Sequence, residues 1–123
     1  MITAADKSSR VDLVFRAFSD RTRLRVLNLL QHREVLCVCE IVELLQLPQA
    51  KVSRHLAYLR RAGLVSGRKD GLWVYYRLAK PRGEFHRKVL ECLSCCLSQV
   101  PELRRDRDLL RTFDKSSCDS GCC

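Results

Sequence analysis

A mainly α-helical fold carrying a β-hairpin wing, the winged helix-turn-helix, is predicted by three features of residues 47–78, LPQAKVSRHLAYLRRAGLVSGRKDGLWVYYRL. First, Val52, Leu56, Leu59 and Ala62 recur at helical spacing and make one apolar stripe. Second, Lys51, Arg54, Tyr58 and Arg61 recur on the opposite side, so the helix turns its cations away from the surface it buries. Third, two strand-like runs follow, 64–69 and 72–78, around the turn pair Asp70-Gly71. A basic helix held by an apolar stripe, with a basic-tipped hairpin behind it, suits the major groove of DNA.

Local chemistry supports each element of this stretch. Pro48 suits a first helical turn, where its missing N–H would have no partner anyway. Gly63 stands where a left-handed C-cap is wanted. Asp70-Gly71 suits the two central residues of a type I′ turn, both of which need positive φ. Leu72, Val74, Tyr76 and Leu78 alternate with Trp73, Tyr75 and Arg77, so one face is buried and the other wetted.

Upstream, residues 1–9 are polar, and Val11, Val14, Phe15 and Phe18 mark an amphipathic helix. Ser19 or Asp20 caps the helix that follows, whose stripe is Leu24, Leu27 and Leu30, with Arg21, Arg23, Arg25 and Arg33 outside it. Residues 34–37 form a connection, and Ile41, Leu44 and Leu45 a short third helix that Pro48 ends. The segments 39–47 and 49–62 are the helix-turn-helix pair.

Downstream, 80–83 breaks the pattern before a last helix, 84–100, with two stripes. Leu90, Leu93, Leu97 and Val100 form one; Phe85, Val89, Cys92 and Cys96 form the other. A helix apolar over so much of its girth must be covered twice. The expected protein is therefore a homodimer built through this helix and the N-terminal one. Beyond Pro101 the composition turns charged and then small. The expected organisation is a DNA-binding and dimerisation domain over 1–100 and a flexible cysteine-containing tail over 101–123.

The formal charge of +9 favours a polyanionic partner through counterion release. No apolar run approaches the roughly 20 residues of a membrane span, and no secretory pattern opens the chain. A cytoplasmic protein without a membrane partner is expected, so its eight cysteines are expected as thiols. No acid–base pair, activated nucleophile or phosphate loop points to an enzyme.

For DNA, Gln49, Ser53 and Tyr58 are placed for base edges, and Lys51 for phosphate. Arg54 and Arg61 share the outward face, His55 is a packed or DNA-proximal imidazole, and Arg68 and Lys69 flank the wing tip. Trp73 and Tyr75 read as wing packing.

The thiols fall into three sets. Cys92, Cys95 and Cys96, at i, i+3 and i+4, lie within about 100° of one helical face, where they could hold a pyramidal soft ion without backbone change. The same spacing is core spacing for a small apolar residue. Cys37 and Cys39 point about 200° apart on a regular helix and converge only if the helix starts after them or its first turn unwinds. Cys118, Cys122 and Cys123 lie on the tail, either to reach a site or to scavenge metal.

With these elements in order, the chain resembles the ArsR–SmtB family of bacterial metal-responsive repressors over roughly residues 11–100. The resemblance is carried by DRTRLRVLNLL, LCVCEI, QAKVSRHLAYLRRAGLV and GRKDGLWVYYRL. It implies a dimer that sits on a palindromic operator when metal-free and lets go when metal binds. The Cys37-Val38-Cys39 match resembles the arsenic- and cadmium-sensing branches, whose arsenite sensors use three cysteines; the third would fall at 42, which here is Val42. Some members carry arsenic ligands near the end of the last helix, which Cys95-Cys96 resembles. The implied inducer is arsenite, with no permanent cofactor; antimonite, cadmium, lead and thiol oxidation or persulfidation stand as alternatives. A zinc site at His86 lacks a second histidine and is not expected. Motif favours Cys37 and Cys39, but spacing favours the final-helix thiols, and Cys95 and Cys96 are the pair expected to be required for metal-induced release.

Overall fold

The structure, a computed structural model, describes residues 11–113. Helix α1 (Val11–Phe18) buries Leu13, Val14 and Ala17. Asp20 then starts α2 (Arg21–His32): its backbone is extended and its carboxylate accepts the Arg23 N–H at 3.0 Å. Helix α2 is the centre of the domain, with Val26, Leu27, Asn28, Leu29 and Leu30 all buried. Of the cations expected outside its stripe, Arg23, Arg25 and Arg33 are drawn partly inward by partners, whereas Arg21 stays exposed.

Strand β1 (Leu36–Cys37) leads directly into α3 (Val38–Leu45). Gln46 ends α3 in the left-handed region (φ 56°). Pro48 is the N-cap of α4 (Gln49–Arg61), one position before its first turn. The stripe holds: Val52, Leu56 and Leu59 are buried. Gly63, with φ 81°, terminates α4, and the Leu64 N–H reaches back to the Leu59 carbonyl at 3.0 Å, the long bond of a Schellman end.

The wing is β2 (Val65–Asp70) and β3 (Trp73–Leu78), and β1 joins its far edge to give the antiparallel order β1-β3-β2. Leu36 pairs with Tyr76 and Cys37 with Tyr75, so the segment expected as a connection is an edge strand. Asp70 pairs with Trp73, which leaves Gly71-Leu72, not Asp70-Gly71, as the two-residue turn. Gly71 alone carries positive φ there (66°), as a type II′ turn requires at its first central position. Leu72 is at the exposed tip rather than on the buried face of β3. Gly67 lies opposite Tyr76, and a Cβ there would stand 2.8 Å from the tyrosine ring. The missing side chain lets the ring cross the strand.

Helix α5 (Glu84–Cys95) divides its stripes as their spacing implies: Leu90 and Leu93 enter the core, while Cys92, Cys95 and Cys96 stay exposed. The expected tail is corrected over its first half. Residues 101–112 form α6 (Pro101–Thr112), with Pro101 in its first turn and Leu103, Asp106 and Leu110 buried. Polar contacts to α2 dock it. Arg25 grips Asp106 through Nε and Nη2 at 2.7 and 3.0 Å, Asn28 Nδ2 donates to the Leu103 carbonyl at 2.9 Å, and Arg33 Nη2 to the Leu110 carbonyl at 3.1 Å. Cys118, Cys122 and Cys123 lie outside the described residues.

Two predictions follow from this packing. Asp106→Ala strands a largely buried guanidinium and should lower unfolding stability by about 3 kcal/mol in a denaturant titration. Because Arg25 then has nothing left to pair with, the Arg25→Ala/Asp106→Ala double variant should lose less than the two singles summed. His86 is buried and its pKa is pushed down by that burial and then by the Arg82 charge. The fold therefore holds the neutral ring, and its contribution, present above the unfolded pKa of about 6.5, is lost as pH falls below that value. Thermal melts between about pH 7 and pH 5 should show this slope, flattened in His86→Leu.

Candidate DNA-reading surface and thiol pair

Helix α4 presents Gln49, Ser53, Arg54 and Arg61 to solvent, while Lys51 and Tyr58 are half-buried at its flanks. Arg68 and Lys69 are exposed on β2, next to the wing tip. The residues expected to face DNA thus fall on two adjoining elements, a helix and a hairpin.

His55 is placed differently from a base-reading side chain. Its side chain is 12% exposed, with Nδ1 3.8 Å from Asp20 and 3.3 Å from Arg23 Nη1. A guanidinium only donates, so Nδ1 accepts and the proton sits on Nε2. Burial lowers the His55 pKa, and the charges of Arg23, Arg54 and Lys51 act the same way against Asp20. His55 is therefore a neutral ring that seats α4 on the start of α2.

Arg23 makes the larger part of that seat. Its Nε and Nη2 donate to the Ala17 and Arg16 carbonyls at 3.0 and 2.9 Å, closing the C-terminal end of α1. Its guanidinium carbon lies 4.1 Å from the centroid of Tyr58, and that of Arg61 5.2 Å from the same centroid. Two cations on one ring fix the tyrosine by cation–π attraction. Arg23 lies outside the apolar stripe of its helix, and its role appears only once α1 and α4 are packed around it.

The thiols are sorted by where helices begin and end. Helix α3 starts at Val38, so Cys37 is its extended N-cap (φ −87°, ψ 165°) and Cys39 lies in its first turn. That is the first of the two conditions for convergence, and the sulfurs stand 3.1 Å apart. The separation is well beyond the roughly 2.05 Å of a disulfide, so both are thiols. Cys37 and Cys39 are 2% and 3% exposed and are covered by Trp73, Tyr75 and Phe113. Glu40, also buried, accepts the Cys37 N–H at 2.9 Å and completes a capping box. Val42, at the motif's third position, packs against the apolar core.

On α5 the thiols are exposed rather than buried, and Cys92 and Cys96 are hydrogen-bonded to one another. Among the described residues no three His, Cys, Asp or Glu side chains form a group able to hold a metal ion, so Cys92, Cys95 and Cys96 do not converge as a trio. A thiol–thiol hydrogen bond from Cys96 raises the Cys92 pKa, with burial and the neighbouring cysteines adding to it. His86 is likewise part of no three-donor group among the described residues.

Comparison with known proteins agrees with this geometry. Residues 20–66 match the family model described as bacterial regulatory protein, arsR family. The arsenic resistance transcriptional regulator ArsR2 of Pseudomonas putida is 40% identical over 112 residues, 89% of this chain and 95% of that protein. ArsR1 of the same organism is 50% identical over 66 residues, 54% of this chain, which spans about half of that relative's length (52%). Among solved structures, HlyU from Vibrio cholerae superposes with a TM-score of 0.63 at 31% identity, covering 80% of this chain and all of that one. Helix-turn-helix, wing and sequence similarity together make this chain a member of the arsR family of bacterial DNA-binding transcriptional regulators.

Proposed function

We propose that this protein is a dimeric repressor that leaves its operator when a trivalent, thiol-seeking ion, arsenite in the first place, binds Cys37 and Cys39. The observation that carries the reading is the 3.1 Å approach of two buried sulfurs at the N-cap of α3. Soft ions such as trivalent arsenic take thiolate ligands, and one ion bonding both sulfurs requires no backbone rearrangement to bring them together. Arsenite exchanges its As–O bonds for As–S bonds, releasing water, and nothing is oxidised.

The position couples binding to DNA. Cys37 pairs with Tyr75 of the wing and at the same time caps the first helix of the helix-turn-helix. An ion on these sulfurs needs space now filled by Trp73, Tyr75 and Phe113. Making that space moves the wing relative to α3, and with α3 the recognition helix α4. Lys51, Arg54, Arg61, Arg68 and Lys69 then lose the common geometry that a groove and its flanking phosphates require. The relative ArsR2, by name a regulator of arsenic resistance, supports arsenite over cadmium or lead.

The palindromic operator requires two copies. Phe15, 54% exposed, stacks edge-on against Phe85 with ring centroids 5.6 Å apart, joining α1 to α5 beside the exposed Val11. Phe15, exposed and seated on the half-buried Phe85, is the centre of the proposed dimer face. Leu93, by contrast, is wholly buried in its own domain, so a charge there would unfold the chain rather than split a dimer.

Three outcomes test the proposal. Under reducing conditions, Cys37→Ser and Cys39→Ser should each abolish arsenite-induced release of an operator duplex while preserving affinity for it. A normal response from both, with loss in Cys95→Ser or Cys96→Ser, would move the site to α5. Phe15→Glu should sediment as a monomer and bind a full palindrome far more weakly. Arg68→Ala should weaken binding to all sequences alike and reduce the salt slope by about one unit.

A further inference from the structure

We infer that the thiol-side face of the wing holds a phosphate-binding cleft, in which Arg77 joins Arg68 on one phosphate of the DNA backbone. The inference rests on the DNA-binding role of the chain and not on the choice of inducer. Arg77 is on neither the recognition helix nor the wing tip, where the other DNA-facing cations lie.

Register places the side chains. In the antiparallel sheet, Ser66 pairs with Arg77, Arg68 with Tyr75, and Cys37 with Tyr75. Residues directly opposite one another project to the same side, so these five share one face of the sheet. The alternate residues Leu36 and Tyr76 are buried on the other face. Val35, Ser66, Arg68, Asp70, Tyr75 and Arg77 line a cleft of about 190 Å³. Sites for drug-sized ligands begin near about 300 Å³, so this cleft suits a small polar group instead.

Electrostatics decide which group. Arg21, Arg25, Arg87 and Arg111 all pair with carboxylates. Arg68 and Arg77 are exposed and form no ion pair among the described residues, although Asp70 lines the same cleft. Two guanidiniums against one carboxylate leave the cleft a net positive charge. Each fork presents paired N–H donors that match phosphate oxygens, and the Ser66 hydroxyl adds a further donor. Arg68 and Arg77 are diagonal neighbours on adjacent strands, about 7–8 Å apart, so their long side chains can converge on one group. A backbone phosphate is favoured over a free one because Arg68 and Lys69 lead from this cleft toward the wing tip, and the chain belongs to a DNA-binding family. Tyr75, which lines the cleft, also covers Cys37 and Cys39. An ion that displaces this ring therefore disturbs a phosphate contact directly.

The test uses the full metal-free chain and an operator duplex, read as affinity against salt concentration. Arg77→Ala should bind about tenfold more weakly, to operator and unrelated duplexes alike, with a salt slope lower by about one unit. Arg77→Lys, which keeps the charge, should recover most of that slope, and both variants should melt as the parent does. Because both arginines hold one phosphate, Arg68→Ala/Arg77→Ala should lose less than the two singles combined. Losses that simply add would overturn the shared clamp. Parent affinity and slope in Arg77→Ala would overturn the inference and leave arsenite-driven release untouched. A second arm titrates the protein, without DNA, with inorganic phosphate at constant ionic strength in a calorimeter. Phosphate binding that Arg77→Ala removes, with operator affinity unchanged, would assign the cleft to a free oxyanion and overturn the DNA assignment. A parent that binds no duplex would overturn this inference and the proposed function together.

Discussion

Residue 37 does three structural jobs at once, and the functional geometry depends on their coincidence. Its backbone closes β1 against Tyr75, its extended conformation sets the first residue of α3, and its sulfur meets that of Cys39 at 3.1 Å. Begin α3 one residue earlier, with Cys37 inside it, and the two side chains point about 200° apart. The Glu40 carboxylate, at N3, fixes that start by accepting the Cys37 N–H, and a negative charge at a helix N-terminus is favourable in its own right. The close thiol pair has thus been built from a helix boundary, not from a helix face.

Around that boundary the domain is tied together by arginines acting as spacers between elements. Arg23 spans α1, α2 and α4: it closes the Ala17 and Arg16 carbonyls and lies on the Tyr58 ring. Arg25 and Arg33 tie α6 to α2. Guanidinium suits this task because its planar fork donates to several acceptors in fixed directions. Through Arg23, displacement of α1 at the proposed dimer face is felt by a side chain of the recognition helix. Through Arg25 and Arg33, α6 carries Phe113 onto the thiols. The positive charge of this protein therefore does two kinds of work, one toward DNA and one inside the fold.

Much of the fold was legible because its elements are long and strongly periodic. The stripe Val52, Leu56, Leu59 and the left-handed Gly63 read directly as a helix with its end. The wing read correctly apart from its turn, displaced by one residue because Asp-Gly is a stronger local signal than Gly-Leu, while pairing of Asp70 with Trp73 decides the register. Strand β1 was illegible: two residues have no period. Helix α6 was illegible for a different reason. Its apolar positions are few among charges, and what buries Asp106 is an arginine 81 positions away. The thiol sites divided on the same ground. Spacing alone favoured Cys92, Cys95 and Cys96, which lie exposed on α5, whereas Cys37 and Cys39 approach each other for a reason only the helix start supplies.

In the proposed function, ligand binding acts at the seam between α3 and the wing. Trp73 is the protein's one tryptophan, and it packs on Cys37 and Cys39. Its fluorescence reports on that seam without any label. Titration of the reduced protein with arsenite should change Trp73 emission in proportion to binding, saturating at one equivalent per chain and in step with operator release. The change should vanish in Cys37→Ser/Cys39→Ser and persist in Cys95→Ser/Cys96→Ser. Operator release with Trp73 emission unaltered, or an emission change that survives loss of Cys37 and Cys39, would contradict the account.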